Sequence, residues 1–205
     1  MKLIIQLFII QSFIACNFSQ HKKEDYKINR DARKLNDSAV YIALHLHEYE
    51  KAISLLDQAT KIDSNYFQAF DNKFSFQRLI KPFDQNKILT ILNNLNRIKP
   101  EDPRYYALIG ILYYKMKKPS ISDIYFKNAA IYYEKILDTT YAKNEYYGFF
   151  LQNQALNFIF IDKEVEGKKI LKHIYEETKY QPFKEKINFF FKSSKKEILD
   201  SIGIE

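Results

Sequence analysis

The chain has 205 residues, of which 46% are hydrophobic and 28% charged, enough apolar material for the core of one globular domain. Its four Gly and five Pro are too few for a β-sandwich or β-barrel, which needs a turn about every ten residues. The net charge of +7 would suit a nucleic-acid partner, but the lysines are scattered and their clusters are short. We therefore expect no nucleic-acid binding.

The first sixteen residues have the layout of an export signal. Lys2 supplies a positive charge, residues 3–14 form an apolar stretch too short to span a bilayer comfortably, and the small Ala15 directly precedes Cys16, the only cysteine. This arrangement resembles a bacterial lipoprotein signal peptide. The resemblance implies that residues 1–15 are removed and that Cys16 is acylated, for example with palmitate. Dual acylation would anchor the chain stably in a membrane.

Residues 16–33 are polar and lack apolar periodicity, as expected for a tether between a lipid and a folded domain. Asn17, rather than Asp, follows the cysteine, which resembles lipoproteins sorted to the outer membrane of two-membrane bacteria. That resemblance implies a location on the periplasmic or surface face. Two alternatives remain for the N-terminus: an ordinary signal peptide, or a first core helix in which Cys16 is an incidental small hydrophobic residue.

The rest of the chain is predicted to form a series of helices separated by prolines. Asp102 is a predicted N-cap, and Pro103 stands at the first helical position after it. Short connections between the helices predict antiparallel neighbours. The apolar periodicity predicts helices over residues 36–46, 50–62, 66–80, 84–97, 103–117, 120–137, 144–161 and 164–179, with one or two further pieces over 183–202.

Two segments resemble the helices of a tetratricopeptide repeat, whose period is about 34 residues. In "EYEKAISLLDQATKIDSNY" (residues 48–66), Ala52 and Ala59 occupy the small positions at which two helices cross closely. In "YALIGILY" (residues 106–113), Gly110 occupies the small position of a first helix, and Gly167 takes a small position in the second helix of the fourth unit, so both glycines are assigned to tight crossings. The first and third units therefore carry the resemblance best.

The resemblance extends over residues 34–180 as four units, although Phe74 fills a normally small site in the second unit. It implies an all-α fold, in which about four antiparallel helix pairs form a tetratricopeptide-like right-handed superhelix. Residues 181–205 are then a C-terminal capping helix. An irregular helical bundle with accidental spacing is the alternative.

The sequence contains no motif of a hydrolase, metalloprotease or nucleotide-binding loop. His45 and His47 are two residues apart, so on a helix they face different directions and form a poor metal pair. We therefore expect no enzymatic activity, no cofactor and no metal site.

In tetratricopeptide repeats, the first helices of successive units line a concave groove, so the resemblance implies a set of partner-binding candidates. The candidates are polar at one end and aromatic at the other, which suits an extended or helical peptide with buried anchors. Across the four units the candidates are Asp37, Tyr41, Asp71, Ser75, Arg78, Arg104, Ala107, Ile111, Tyr114, Lys115, Phe149, Gln152, Asn153 and Leu156.

The sequence thus predicts a membrane-anchored lipoprotein adaptor that binds protein or peptide segments in the bacterial cell envelope. The alternative is an envelope helper lipoprotein that binds a small apolar or glycan ligand between its helices. A third interpretation, a cytosolic repeat protein, applies if Cys16 carries no acyl chain.

Overall fold

A computed structural model describes residues 26–138 and 147–203 of the chain. Within these ranges, ten α-helices and one π-helical segment follow one another without a β-strand. None of the helices in the described ranges is long and apolar enough to cross a membrane. The elements are α1 (Arg30–Tyr41), a π-helical segment (Ile42–Leu46), α2 (Tyr49–Ile62), α3 (Phe67–Gln77), α4 (Gln85–Ile98), α5 (Pro103–Lys115), α6 (Pro119–Asp138), α7 (Tyr147–Phe160), α8 (Glu164–Glu177), α9 (Gln181–Lys192) and α10 (Lys195–Ser201).

Within residues 26–100, and likewise from α5 to α9, each helix packs against the next one in the chain, which is the arrangement of antiparallel helix pairs. The predicted all-α class of antiparallel helix pairs is therefore confirmed. The signal peptide over residues 1–15 and the acylated Cys16 lie outside the described residues, and both stay predictions. The described chain divides into two compact units, an N-terminal unit (residues 26–100) and a C-terminal unit (residues 101–203).

The N-terminal unit begins earlier than predicted. Helix α1 starts at Arg30 rather than at residue 36, because the Asn29 side chain accepts hydrogen bonds from the backbone N–H groups of Asp31 and Ala32 at 2.9 and 3.3 Å. This N-cap satisfies two of the four backbone donors that a helix start leaves free. Residues 30–33, which the sequence placed in the tether, are therefore helical.

The small residues predicted at helix crossings in the first unit are buried as expected. Ala52 and Ala59 of α2 have no solvent exposure, and they share a core cluster with Ala32 and Ala39 of α1. Alanine lets two helix backbones approach closely, so these four positions explain how α1 and α2 pack together. Leu56, also fully buried, fills the space between the two alanines of α2.

The C-terminal unit has two tight crossings, and both contain glycine. A Cβ on Gly110 would lie 2.6 Å from Cε1 of Phe126, and a Cβ on Gly167 would lie 2.5 Å from the backbone oxygen of Ala155. The Ser122 hydroxyl also donates to the Gly110 carbonyl at 2.8 Å, which joins α6 to α5 at the same point. The sequence assigned both glycines to tight crossings, and the structure confirms this.

The C-terminal end contains two helices. Ser194 begins α10 with a capping box: its Oγ accepts from the Glu197 backbone N–H at 3.3 Å, and the Glu197 carboxylate accepts from the Ser194 N–H at 2.8 Å. The region predicted as a capping helix therefore consists of two helices, α9 and α10, which are separated by Ser193 and Ser194.

Four half-buried tyrosines form a row along the α5–α6 pair, and we call them the tyrosine row: Tyr113, Tyr125, Tyr106 and Tyr132. The ring centroids of Tyr113 and Tyr125 are 5.5 Å apart, those of Tyr125 and Tyr106 are 6.4 Å apart, and those of Tyr106 and Tyr132 are 5.1 Å apart. Two pairs of adjacent tyrosines are thus divided between the row and the core. Tyr106 and Tyr132 belong to the row, while their neighbours Tyr105 and Tyr133 are buried in the core.

Candidate functional site

The C-terminal unit contains a cavity of about 100 Å³, which we call the C-terminal cavity. Several of its lining residues are only partly buried, so it reaches the surface. Its walls come from α5, α6, α7, α9 and the segment at the end of α10, and they consist of Arg104, Ala107, Leu108, Ile111, Tyr133, Phe149, Gln152, Asn153, Leu156, Asn157, Phe160, Lys186, Phe190, Ser201 and Ile202.

Arg104 enters this wall from the first turn of α5. Asp102 caps the helix by accepting from the Arg104 backbone N–H at 3.1 Å, and the same carboxylate accepts from the Arg104 Nε at 2.8 Å. The pair is largely buried, with an Nη2 to Oδ2 distance of 2.5 Å. Asp102 therefore neutralises the charge of Arg104, and helix capping fixes the position of both groups.

Two amide side chains of α7 supply polar atoms to the wall. Asn157 is 1% exposed, and its Nδ2 donates to the Phe126 carbonyl of α6 at 2.7 Å. A carbonyl can only accept, so this bond fixes the orientation of the amide and identifies the other atom as Oδ1. Asn157 Oδ1 and Gln152 Oε1 are buried and find no hydrogen-bond donor among the described residues.

An unpaired buried acceptor costs about 1–3 kcal/mol, and each such atom in a folded protein requires an explanation. Gln152 is 3% exposed, so its side-chain oxygen does not form a hydrogen bond with bulk water. Both residues line the cavity, but the two oxygens themselves are closed off from solvent, so they do not present acceptors to a group bound there.

Lys186 of α9 lines the same cavity. Burial lowers the pKa of Lys186 to about 8, because the charged form is poorly solvated there. Its Nζ lies 5.7 Å from the ring centroid of Phe190, and it forms no ion pair with any residue that the structure describes. No Asp or Glu occurs among the cavity residues, so Lys186 gives the cavity a positive charge without a counter-charge.

The structure brings together all the predicted candidates of α7 and three of the five of α5. Arg104, Ala107, Ile111, Phe149, Gln152, Asn153 and Leu156 all line the C-terminal cavity. Tyr114 and Lys115 lie near the end of α5 and are half-buried, but they are not among the cavity residues.

The candidates of the first two units lie in the N-terminal unit. Tyr41 is 60% exposed, and its ring is 4.7 Å from that of His45. Asp37 is also exposed and accepts from the Asn36 side chain at 3.2 Å. The remaining three are half-buried residues in or next to α3: Asp71, Ser75 and Arg78. Whether these five residues bind a partner stays a prediction.

The sequence interpretation missed the α9 wall of the cavity, since α9 was assigned only a capping role. Lys186 and Phe190 are four residues apart, which places them on one helix face. A lysine on the same helix face as an aromatic residue was the sequence signal that could have predicted this wall of the cavity. Asn157 was also missed, although it lies one turn after Asn153 on the same helix.

No protein-family profile matches the chain, and no curated protein matches it. Among solved structures, it is similar to the "MamA RS-1 ArsTM double mutant" and to MamA, residue 41 to the end, from Desulfovibrio magneticus RS-1. The identity is 18% in both comparisons, the alignments cover 71% of this chain and 74% and 75% of the MamA chains, and the TM-scores are 0.48 and 0.47. At these scores the likeness carries no inference about function, and the fold assignment depends on the helix pairs themselves.

Proposed function

We propose that this protein is a membrane-anchored lipoprotein adaptor that binds protein or peptide segments in the bacterial cell envelope. The observation that carries the binding role is the C-terminal cavity, whose α5 and α7 walls include seven side chains predicted to face a partner. Cys16 and its flanking sequence support the membrane anchor.

The size of the cavity favours a protein segment over a free small molecule. Its volume of about 100 Å³ is below the roughly 300–1,000 Å³ of typical small-molecule pockets. A single aliphatic side chain is of suitable size, and buried anchor residues of this kind dominate the binding energy of many protein interfaces. A partner segment would therefore insert one side chain while the rest of it lies on the surface.

The binding role can be tested by photo-crosslinking in intact cells. A photoreactive residue at Asn153, in the half-buried part of the cavity, should form an adduct with one defined protein segment, identified by mass spectrometry of the crosslinked peptide. The same photoreactive residue at the exposed Lys169 of α8 is the control. Adding Phe149→Ala should abolish the Asn153 adduct, because it removes an aromatic wall of the cavity.

Adducts that are identical from Asn153 and Lys169 would contradict the adaptor role. If instead the purified protein retains an apolar or glycan small molecule that Phe149→Ala loses, the helper-lipoprotein alternative would replace it.

The membrane anchor is tested separately by metabolic labelling with palmitate. The wild-type chain should incorporate label and begin at an acylated Cys16, and Cys16→Ser should lose the label. An unlabelled chain that retains Met1 would contradict the anchor and favour the cytosolic interpretation.

A further inference from the structure

We propose that the C-terminal cavity selects partner segments in which an Asp or Glu side chain stands next to an aliphatic residue. The aliphatic side chain enters the cavity, and the carboxylate pairs with Lys186. This inference rests on the proposed adaptor function and specifies the chemistry of the partner.

The charge requirement comes from the two cations of the wall. Arg104 is already paired with Asp102 across a distance of 2.5 Å, whereas Lys186 forms no ion pair among the described residues. Tyr133 is the other titratable group of the wall, and burial raises its pKa, so it remains neutral. The charge of Lys186 therefore has no counter-charge in the wall, and a carboxylate of the partner would neutralise it.

The depressed pKa of Lys186 supports the same conclusion. Burial without a nearby anion disfavours the ammonium form, and a bound carboxylate would favour it again. Lys186 lies on α9, outside the four repeat units, so the C-terminal helices contribute the selectivity.

The shape requirement comes from the apolar part of the wall. Leu108, Ile111, Leu156 and Phe160 surround a space of about 100 Å³, which fits one Leu, Ile or Val side chain. These residues come from α5 and α7, and Lys186 of α9 lines the same cavity. The aliphatic anchor and the acidic group must therefore be close together in the partner sequence.

The test is a selection from a library of random hexapeptides that are acetylated and amidated, so that only side-chain carboxylates are available. The full-chain protein in detergent should enrich peptides in which Asp or Glu adjoins Leu, Ile or Val. Lys186→Met should lose the acidic preference, while the matched variant Lys169→Met, which removes the same charge from an exposed position, should keep it.

Binding of one selected peptide then provides a double-mutant cycle. Changing its acidic residue to the amide should weaken binding to the wild-type protein by at least about tenfold, and should have little further effect on Lys186→Met.

Enrichment of aliphatic residues without an acidic preference would overturn this inference and leave the adaptor function intact. An acidic preference that persists in Lys186→Met would also overturn it. If no peptide is enriched, the inference fails, and the crosslinking experiment at Asn153 decides separately whether the adaptor function fails with it.

Discussion

Replacing Lys186 by Met should stabilise the folded protein at neutral pH, even though it removes a charge from the candidate binding site. In the folded state burial lowers the pKa of Lys186 from 10.5 to about 8, which corresponds to an unfavourable free energy of up to roughly 3 kcal/mol for the charged form. The side chain keeps some exposure, so we expect a gain of about 1–3 kcal/mol. For a chain of this length, that raises Tm by several degrees.

The pH dependence follows from the direction of the pKa change. Below pH 8, Lys186 is protonated in both the folded and the unfolded chain, and the full cost of burying the charge is present. Between pH 8 and 10.5 the unfolded chain retains the proton that the folded chain has lost, so the wild-type stability attributable to this group rises with pH. The advantage of Lys186→Met should therefore be largest near pH 7 and should decline toward pH 10.5.

The assay is thermal and urea unfolding, followed by the helical circular dichroism signal, of the wild type, Lys186→Met and the control Lys169→Met. The control removes the same charge from an exposed position of α8, so its free energy of unfolding should stay within about 0.5 kcal/mol of the wild type. A stability gain for Lys186→Met that is equal at pH 7 and pH 10 would refute the reasoning, because only burial of the charge predicts the decline.

The tight crossings and the last helix cap give further predictions, all measured by urea unfolding. Gly110→Ala should cost about 1–3 kcal/mol, because the new Cβ would meet the Phe126 ring at 2.6 Å. Gly167→Ala should cost more, since its obstacle is a backbone oxygen at 2.5 Å, whereas Gly148→Ala has open space and should be neutral or stabilising by up to about 1 kcal/mol. Equal costs at the three glycines would contradict this steric account. Ser194→Ala should cost about 1 kcal/mol through loss of the capping box, and an unchanged free energy would show that the cap contributes nothing.

Local signals in the sequence were enough to predict the helix pairs. Proline positions, apolar periodicity and small residues act over one or two helical turns, so Ala52, Ala59, Gly110 and Gly167 could be assigned to crossings before the structure was described. The first turn of α1 was missed because it is polar, and its start depends on the Asn29 cap rather than on an apolar pattern.

The candidate site was only partly predictable for a different reason. Ile111 and Phe149 were found because repeat geometry places the first helices of successive units side by side. Lys186 was missed because a lysine in a basic sequence is normally solvent-exposed, and its burial depends on where α9 packs. The packing of α9 is a tertiary contact, and the apolar periodicity of the sequence does not predict it.

The tyrosine row gives the protein a built-in optical probe. The chain has no tryptophan, so excitation absorbed by its tyrosines cannot pass to an indole and be emitted there. Within the row, ring centroids 5.1–6.4 Å apart are close enough for excitation to migrate from one phenol to the next. Migration randomises the polarisation of the emitted light, so the intrinsic fluorescence should be depolarised while α5 and α6 stay paired. Opening of this helix pair should therefore change the steady-state anisotropy of the unlabelled protein.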